Sequence, residues 1–306
     1  MFEPVLELLE PGLGASLQDL GRHGWKRYGV PPGGALDRHA ARWANVLLGN
    51  LPHEPVLELL LQGARLRALR RIELAVTGAA AATPGGQGWR TFVLEPDQEL
   101  PFPPPSAGIW TYVAIPGGFV GTRWFGSVSV FPRGGLGERL AAGAVLGRSE
   151  TPPDAAHPGV ARRWLVPVQQ RNYLHPPPLP VWPGPQWELF RDPDRLGFFQ
   201  RDWTISARSD RTGYRLEGPP LTGAAETIPS EPVLPGSIQI PPDGQPIVTM
   251  RDGPTVGGYP KLGLVDPSHL SWLAQCRPGQ AVRFVTAPAP APAPVPVLSP
   301  DADAET

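Results

Sequence analysis

The chain has 306 residues with 27 basic and 28 acidic side chains, a formal net charge of −1, and no Lys/Arg-rich run, which argues against nucleic acid or an anionic membrane surface as partner. Its 43 Pro and 36 Gly exceed the usual shares of about 5% and 7%, yet 10 Trp and 10 Phe argue for a packed core rather than disorder. No apolar run approaches the roughly 20 residues that span a bilayer, and the opening residues 1–9 lack the basic start of a signal peptide, so a cytoplasmic protein is expected. In chain order, apolar or alternating runs at 5–9, 56–61, 65–69, 72–77, 89–94 and 109–115 read as strands separated by Gly, Pro or Asp clusters. Between the first two, Leu36, Ala40, Trp43 and Leu47 recur at helical spacing across 35–48. Asp37 suits the first turn and Gly49-Asn50 supplies a stop.

The run S-E-T-P-P-D-A-A-H-P (149–158) marks a boundary, and a linker is expected over 149–162. Strand patterns resume at 163–168, 203–206, 214–216, 237–240, 247–250, 261–265 and 282–285. Asp266 as N-cap with Pro267 at the first position predicts a short helix that turns Leu270 and Leu273 inward. The Ala-Pro alternation that follows favours extended polyproline II and cannot build a core, so 287–306 reads as a disordered tail. The pattern is all-β with a few short helices: an N-terminal barrel-like domain over 1–148 and a C-terminal domain over 163–286.

Several chemistries are disfavoured. One cysteine, Cys276, excludes an internal disulfide, and a buried inert thiol is expected there. The six His are scattered without H-E-x-x-H spacing, so no metal site is expected. Neither G-x-G-x-x-G nor G-x-x-x-x-G-K-[ST] occurs.

Four constellations carry the candidate chemistry. Gln18, Asp19 and Arg22 open a Gly/Pro-rich stretch ending at Asp37, and could orient a carboxylate, amide or phosphate, or close a turn as an internal pair. Ser209, Asp210, Arg211, Tyr214 and Arg215 place two guanidiniums beside a carboxylate at the start of a strand, either an anion site or a network pinning a hairpin. Gln239 and Gln245 flank Asp243-Gly244, a hairpin turn first of all. Gly257, Gly258, Tyr259 and Lys261 offer backbone N–H groups and an ammonium to an oxyanion. Lys26 and Lys261 are the only lysines among the 27 basic residues, and both sit in Gly-rich loops. As candidate base, Asp19, Asp37, Asp210 and Glu231 all qualify.

Together the ordered motifs P-G-L-G-A-S-L-Q-D-L-G-R (11–22), G-V-P-P-G-G-A-L-D (29–37), A-N-V-L-L-G-N (44–50), L-E-L-L-L-Q-G (57–63), V-T-G-A (76–79), Y-V-A-I-P-G-G (112–118) and G-S-V-S-V (126–130), with those of 206–261, resemble the biotin-dependent carboxyltransferase family. That family includes the C component of 5-oxoprolinase, KipA-type antagonists of a kinase inhibitor and allophanate hydrolase subunit 2. The resemblance implies cyclophilin-like β-barrel domains in tandem. It also implies a smaller sister subunit, KipI-like and corresponding to the B component of 5-oxoprolinase, joined in that enzyme by an A component. It further implies ATP, with Mg, consumed to open the lactam of 5-oxo-L-proline to L-glutamate. In that chemistry Asp19, Asp210, Arg211 and Lys261 would be catalytic, and Gln18, Arg22, Ser209, Tyr214, Arg215, Gln239, Gly257, Gly258 and Tyr259 would bind substrate. Val130 stands where relatives usually carry a hydroxyl, and Gly143-Ala144 where they often have Gly-Asp. No Met-Lys biotin-attachment site exists, the only methionines being Met1 and Met250, so a carboxyltransferase reaction would need biotin delivered by another protein. The expected function is the C component of a 5-oxoprolinase-like amidohydrolase. The alternatives are a biotin-dependent carboxyltransferase acting on a small amide, or a non-catalytic KipA-like antagonist.

Overall fold

A computed structural model describes residues 2–79, 88–149, 170–221 and 227–288. Nine strands build the first half: β1 (Phe2–Pro11), β2 (Ala15–Gln18), β3 (Val56–Leu60), β4 (Ala64–Ala68), β5 (Ile72–Gly78), β6 (Arg90–Leu94), β7 (Glu99–Pro101), β8 (Trp110–Ala114) and β9 (Ala144–Ser149). They form two open antiparallel sheets, ordered β7-β4-β1-β9 and β2-β3-β8-β5-β6. Between them lies a core of alternating inward residues such as Leu6, Leu8, Leu57, Leu66, Leu74 and Val113. On the outer face of β1, cross-strand pairs join Glu7 to Arg67 and Glu10 to Arg65, the latter at 2.7 Å. Being exposed, each contributes at most about 1 kcal/mol.

Strands β3 and β8 do not alternate, because both of their faces are covered. One face joins the inter-sheet core. The other presents Val56, Tyr112 and Ala114 to helix α1 (Arg38–Leu47) and to a second core that runs on into the next unit. Asp37 caps α1 by accepting from the Ala40 amide at 3.0 Å, and the buried stripe Ala40, Ala41, Ala44 and Leu47 lies against the sheet.

The second half adds β10 (Leu179–Pro183), β11 (Asp202–Ile205), β12 (Gly213–Glu217), β13 (Glu231–Pro232), β14 (Ser237–Gln239), β15 (Ile247–Thr249), β16 (Val256–Gly257), β17 (Lys261–Val265) and β18 (Ala281–Thr286). Seven of them close a barrel in the order β10-β17-β14-β15-β12-β11-β18, and β18 meets β10 in parallel. Strands β13 and β16 form a separate two-stranded ribbon. Helix α2 (Asp192–Gln200) packs Phe198 against Trp203 and Phe284, with ring centroids 5.6 and 4.9 Å apart.

The protein is therefore mostly β with short helices, as the sequence implies, but of the expected tandem barrels one closes and the first unit remains two facing sheets. Other expectations shift. Helix α1 begins at Arg38 rather than 35, since Asp37 is its cap. The helix expected from Asp266 begins later, as α3 (Leu270–Ala274), because Asp266 first closes a turn by accepting from the Ser268 and His269 amides. Cys276 lies just past that helix, buried. Ser149, assigned to the linker, ends β9 and pairs with Phe2. Ala287, assigned to the tail, donates its amide to Val181 at 2.9 Å. The remaining linker, the strand at 163–168 and the tail from 289 lie outside the described residues. Helix α2 has no counterpart among the expected elements, its D-P-D-R-L-G-F-F-Q sequence carrying an early Pro and a central Gly.

Phe284 is fully buried between Phe198 and the barrel wall. Phe284→Ala should lower stability by about 3–5 kcal/mol in urea denaturation, since the large cavity cannot collapse against a closed barrel.

Candidate functional site

The stretch from β2 to α1 is organised by Asp19. Its Oδ1 accepts from the Gly21 amide at 2.7 Å and from the Ser127 and Ser129 hydroxyls at 2.6 Å each, and its Oδ2 accepts from the Val128 amide at 3.0 Å. Asp19 is buried and holds the 127–129 loop against the β2 exit through these four bonds. Arg22 is equally enclosed and donates to the carbonyls of Ser129, Trp124 and Pro31. Burial pulls its guanidinium below the usual arginine range. Gly21 and Gly34 lie back to back at positive φ, where a Cβ would stand 2.5 and 2.8 Å from backbone atoms.

Arg211 joins the two units. From the loop before β12 it donates to Glu58 on β3, to Asp252 through Nε at 2.7 Å and Nη2 at 3.2 Å, and to the Gly34 carbonyl at 2.8 Å. Glu58 also accepts from the Leu36 amide at 2.9 Å and the Tyr112 hydroxyl at 2.8 Å. Burial pushes the Glu58 carboxyl above its ordinary value, with Arg211 the main opposing influence. Arg211 is desolvated too, but the carboxylates of Asp252 and Glu58 more than compensate and hold its guanidinium charged. The Tyr112 hydroxyl passes the network on to the Asp37 amide, and the Asp37 carboxylate takes the Tyr173 hydroxyl at 2.7 Å and the Gln275 amide at 3.0 Å. Burial drives both tyrosines well above the normal phenol range.

Above this network opens a cleft of ≈ 610 Å³ between the units. Its walls are Leu60, Leu61, Ile109, Trp110, Val130, Phe131, Ile205, Tyr214 and Cys276, with Ser16, Gln18, Arg139, Ser209, Asp210 and Arg211 supplying polarity. Gln18 donates Nε2 to Ser16 Oγ at 3.1 Å and the Val130 carbonyl at 3.3 Å, while its buried Oε1 has no partner. Gln18 lines a largely apolar cavity, and its amide oxygen, closed off from solvent, lacks the N–H it would accept. Tyr214 contributes only its ring, because its hydroxyl donates to the Ala274 carbonyl at 2.7 Å. Beside the cleft lies a second cavity of ≈ 670 Å³ lined by Arg208, Arg215, Gln239, Gly257, Gly258 and Tyr259. The clasp of Arg133 on Asp210 (3.0 Å) and Thr212 (2.8 Å) stands on the shared rim.

The residues expected to act together thus fall into four places. Gln18, Ser209, Asp210, Arg211 and Tyr214 share the first cleft, and Asp210, Arg215, Gln239, Gly257, Gly258 and Tyr259 the second. Asp19 and Arg22 form the structural loop. Lys261 is buried at the base of β17 and pairs with Glu231 at 2.5 Å, while Gln186 donates to the same Glu231 oxygen at 2.8 Å. The Lys261 contact holds the Glu231 carboxyl below its ordinary range, and the two charges offset one another in a salt bridge outside both cavities. Gly257 lets Gln239 approach closely, since a Cβ there would lie 2.8 Å from Gln239 Oε1. Lys26, the other lysine, reaches across to the Val233 carbonyl of the second unit. Glu58, Asp252, Tyr112 and Arg133 escaped the sequence reading. The one available signal was a carboxylate inside the apolar run V-L-E-L-L. Among the described residues no group of three or more His, Cys, Asp or Glu is placed to hold a metal, and no helix is long and apolar enough to cross a membrane.

Comparison with known proteins adds the following. A family model for the carboxyltransferase domain, subdomain A and B, matches residues 28–286. Two bacterial proteins named as the C component of 5-oxoprolinase are 32% identical: that of Haemophilus influenzae over 92% of this chain and 90% of its own length, that of Escherichia coli over 92% and 91%. The urea amidolyase of Saccharomyces cerevisiae is 27% identical over 93% of this chain but 17% of its own. Among solved structures, TTHA0988 superposes with TM-score 0.83 at 34% identity, and the K. lactis urea amidolyase with TM-score 0.79 at 27%. They cover 92% and 94% of this chain, which spans about half of the first (55%) and a fifth of the second (19%).

Arg211→Met should destabilise the protein by about 3–5 kcal/mol in urea, because it strands Glu58 and Asp252 without their cation. Arg211→Lys should recover little of the loss, a point charge being unable to span both carboxylates and a carbonyl. Burial pushes the Cys276 thiol up to about 12. Roughly one part in ten thousand would then be thiolate at pH 8, and Cys276 should resist thiol reagents until the protein unfolds, as mass spectrometry would read.

Proposed function

The chain belongs to the biotin-dependent carboxyltransferase family, and on that premise we propose that it is the C component of a 5-oxoprolinase-like amidohydrolase, opening 5-oxo-L-proline to L-glutamate in complex with its A and B components. One observation carries this choice within the family. The match to the two C-component proteins runs through nine-tenths of both partners, whereas the urea amidolyases match over 17% of their length. The cleft supports the reading chemically. The substrate is a small flat ring with one N–H, one amide carbonyl and a carboxylate. Apolar walls from Ile109, Trp110 and Val130 suit the ring, and the orphan Gln18 Oε1 suits its N–H. Val130 keeps that wall free of polar groups.

In this proposal Arg211 is a positioning residue. Its fork is committed to Glu58, Asp252 and Gly34, so it shapes the cleft floor without gripping the substrate. ATP, which the family resemblance brings to the reaction, does not fit this cleft. Arg211 and Arg133 are engaged by carboxylates, leaving Arg139 exposed at the rim, so no step on this chain is routed through phosphate there. Activity is accordingly expected only from the assembled complex.

Mixing the chain with its sister subunits, 5-oxoproline and ATP should release glutamate and ADP. Gln18→Leu removes the acceptor together with the Nε2 donor to Ser16 and Val130, and should weaken kcat/KM by about tenfold or more in a complex whose fold circular dichroism verifies, as expected for an unmatched buried amide N–H. Absence of turnover in a well-folded complex would contradict the proposal. Turnover that requires a biotinylated protein and is blocked by avidin would replace it with carboxyl transfer to a small amide.

A further inference from the structure

A second polar site lies outside the cleft and shares none of its residues. Arg38 and Arg42, one turn apart on α1, line a groove of ≈ 520 Å³ together with Arg171, Trp43, Ser268 and Ser271. Arg251, from the loop after β15, lies within electrostatic reach of Arg38 and Arg42. Acids do not balance this cluster. Among the described residues the carboxylate paired with one of these arginines is Asp37, 3.9 Å from Arg171, and it already accepts from the Ala40 amide, Tyr173 and Gln275, while Asp266 beside the groove is taken by Ser268. Arg38, Arg42 and Arg251 form no ion pair or hydrogen bond through their guanidiniums among the described residues.

The hydrogen bonding is incomplete as well. Arg38 Nε, Arg251 Nε and Arg171 Nη1 are each buried without a hydrogen-bond partner. A stranded buried donor costs about 1–3 kcal/mol, and like charges held together add to that. The strain registers on the groups themselves. Burial and the charges of Arg38, Arg211 and Arg42 bring Arg251 down to about 10, and burial with Arg42 lowers Arg38. Arg171 is held in place by stacking on Trp272, its Cζ 4.5 Å from the ring centre.

Three guanidiniums line the groove, with Arg251 in electrostatic reach, so against Asp37 an excess of about two to three positive charges is left, more than a single carboxylate ligand would neutralise and suited to a diphosphate. Planar guanidinium forks match phosphate oxygens in pairs. We propose that the Arg38–Arg42–Arg171 groove is a binding site for a diphosphate group, whether free or carried on a nucleotide. The proposal is independent of the oxoprolinase reading, since no residue of the groove lines the cleft.

Calorimetric titration of the full chain, without sister subunits or 5-oxoproline, tests it. Pyrophosphate should bind at one site per chain and about tenfold or more tighter than inorganic phosphate, with affinity falling as salt rises. Arg42 is exposed, so Arg42→Ala should fold normally, and it and Arg38→Ala should each weaken binding by about tenfold or more. Gln18→Leu, in the cleft, should bind pyrophosphate like the wild type. ATP binding tighter than pyrophosphate would assign the ligand as a nucleotide with its base against Trp43, and equal binding would assign the phosphates alone; both support the site. Absence of saturable binding to pyrophosphate and ATP would overturn it, as would binding that Arg42→Ala and Arg38→Ala leave unchanged.

Discussion

Arg211 leaves the barrel just before β12 and enters the first unit, where one planar group meets Glu58 on β3, the Gly34 carbonyl ahead of α1, and both oxygens of Asp252. Beneath it the Trp110 ring lies 5.8 Å from the guanidinium carbon. A buried ion pair of this kind contributes little net stability against an apolar replacement, because desolvation offsets most of the attraction. What it does fix is geometry. Three separate segments must converge on one fork, and a continuous hydrophobic core running from α1 into the barrel keeps them there. The cleft between the units exists because these two constraints agree.

That arrangement divides the polar residues by task. Asp19, Arg22, Lys261 and Glu231 have charges and loop positions suggestive of catalysis, yet each is enclosed by partners inside its own unit. Gln245 likewise closes a hairpin, exchanging hydrogen bonds with the Gly218 backbone at 2.9 and 3.1 Å. What remains uncommitted around the cleft is small: the orphan amide oxygen of Gln18 and the exposed Arg139 at the rim, above a floor fixed by Arg211. Such a site recognises a compact amide and depends on its sister subunits for the rest of the reaction. Polar atoms without partners recur at the Arg38–Arg42 groove, where the unmatched groups are all cations.

Local patterns in the sequence carried as far as local forces act. Helix α1 was legible from the spacing of Leu36, Ala40, Trp43 and Leu47, and Asp243-Gly244 from turn chemistry, with Gly244 at φ 72° and Asp243 accepting from the Gln245 amide. The family was legible from ordered motifs across most of the chain. Three things were not. Barrel closure depends on β18 meeting β10 in parallel, a pairing across about a hundred residues that no local pattern encodes. Strand β10, L-P-V-W-P, is disguised by its prolines. Arg211 and Glu58 are 153 positions apart, so neither advertises the other, and a guanidinium beside an aspartate reads as an anion site until its distant carboxylates are located.

The most direct test is a crystal structure of the assembled complex with 5-oxo-L-proline bound. The ring should lie between Trp110 and Val130, its N–H within hydrogen-bond distance of Gln18 Oε1, with Arg211 still held by Glu58 and Asp252. Substrate bound away from this cleft, or Arg211 released from Asp252 to grip the substrate carboxylate, would contradict the proposed role of the cleft.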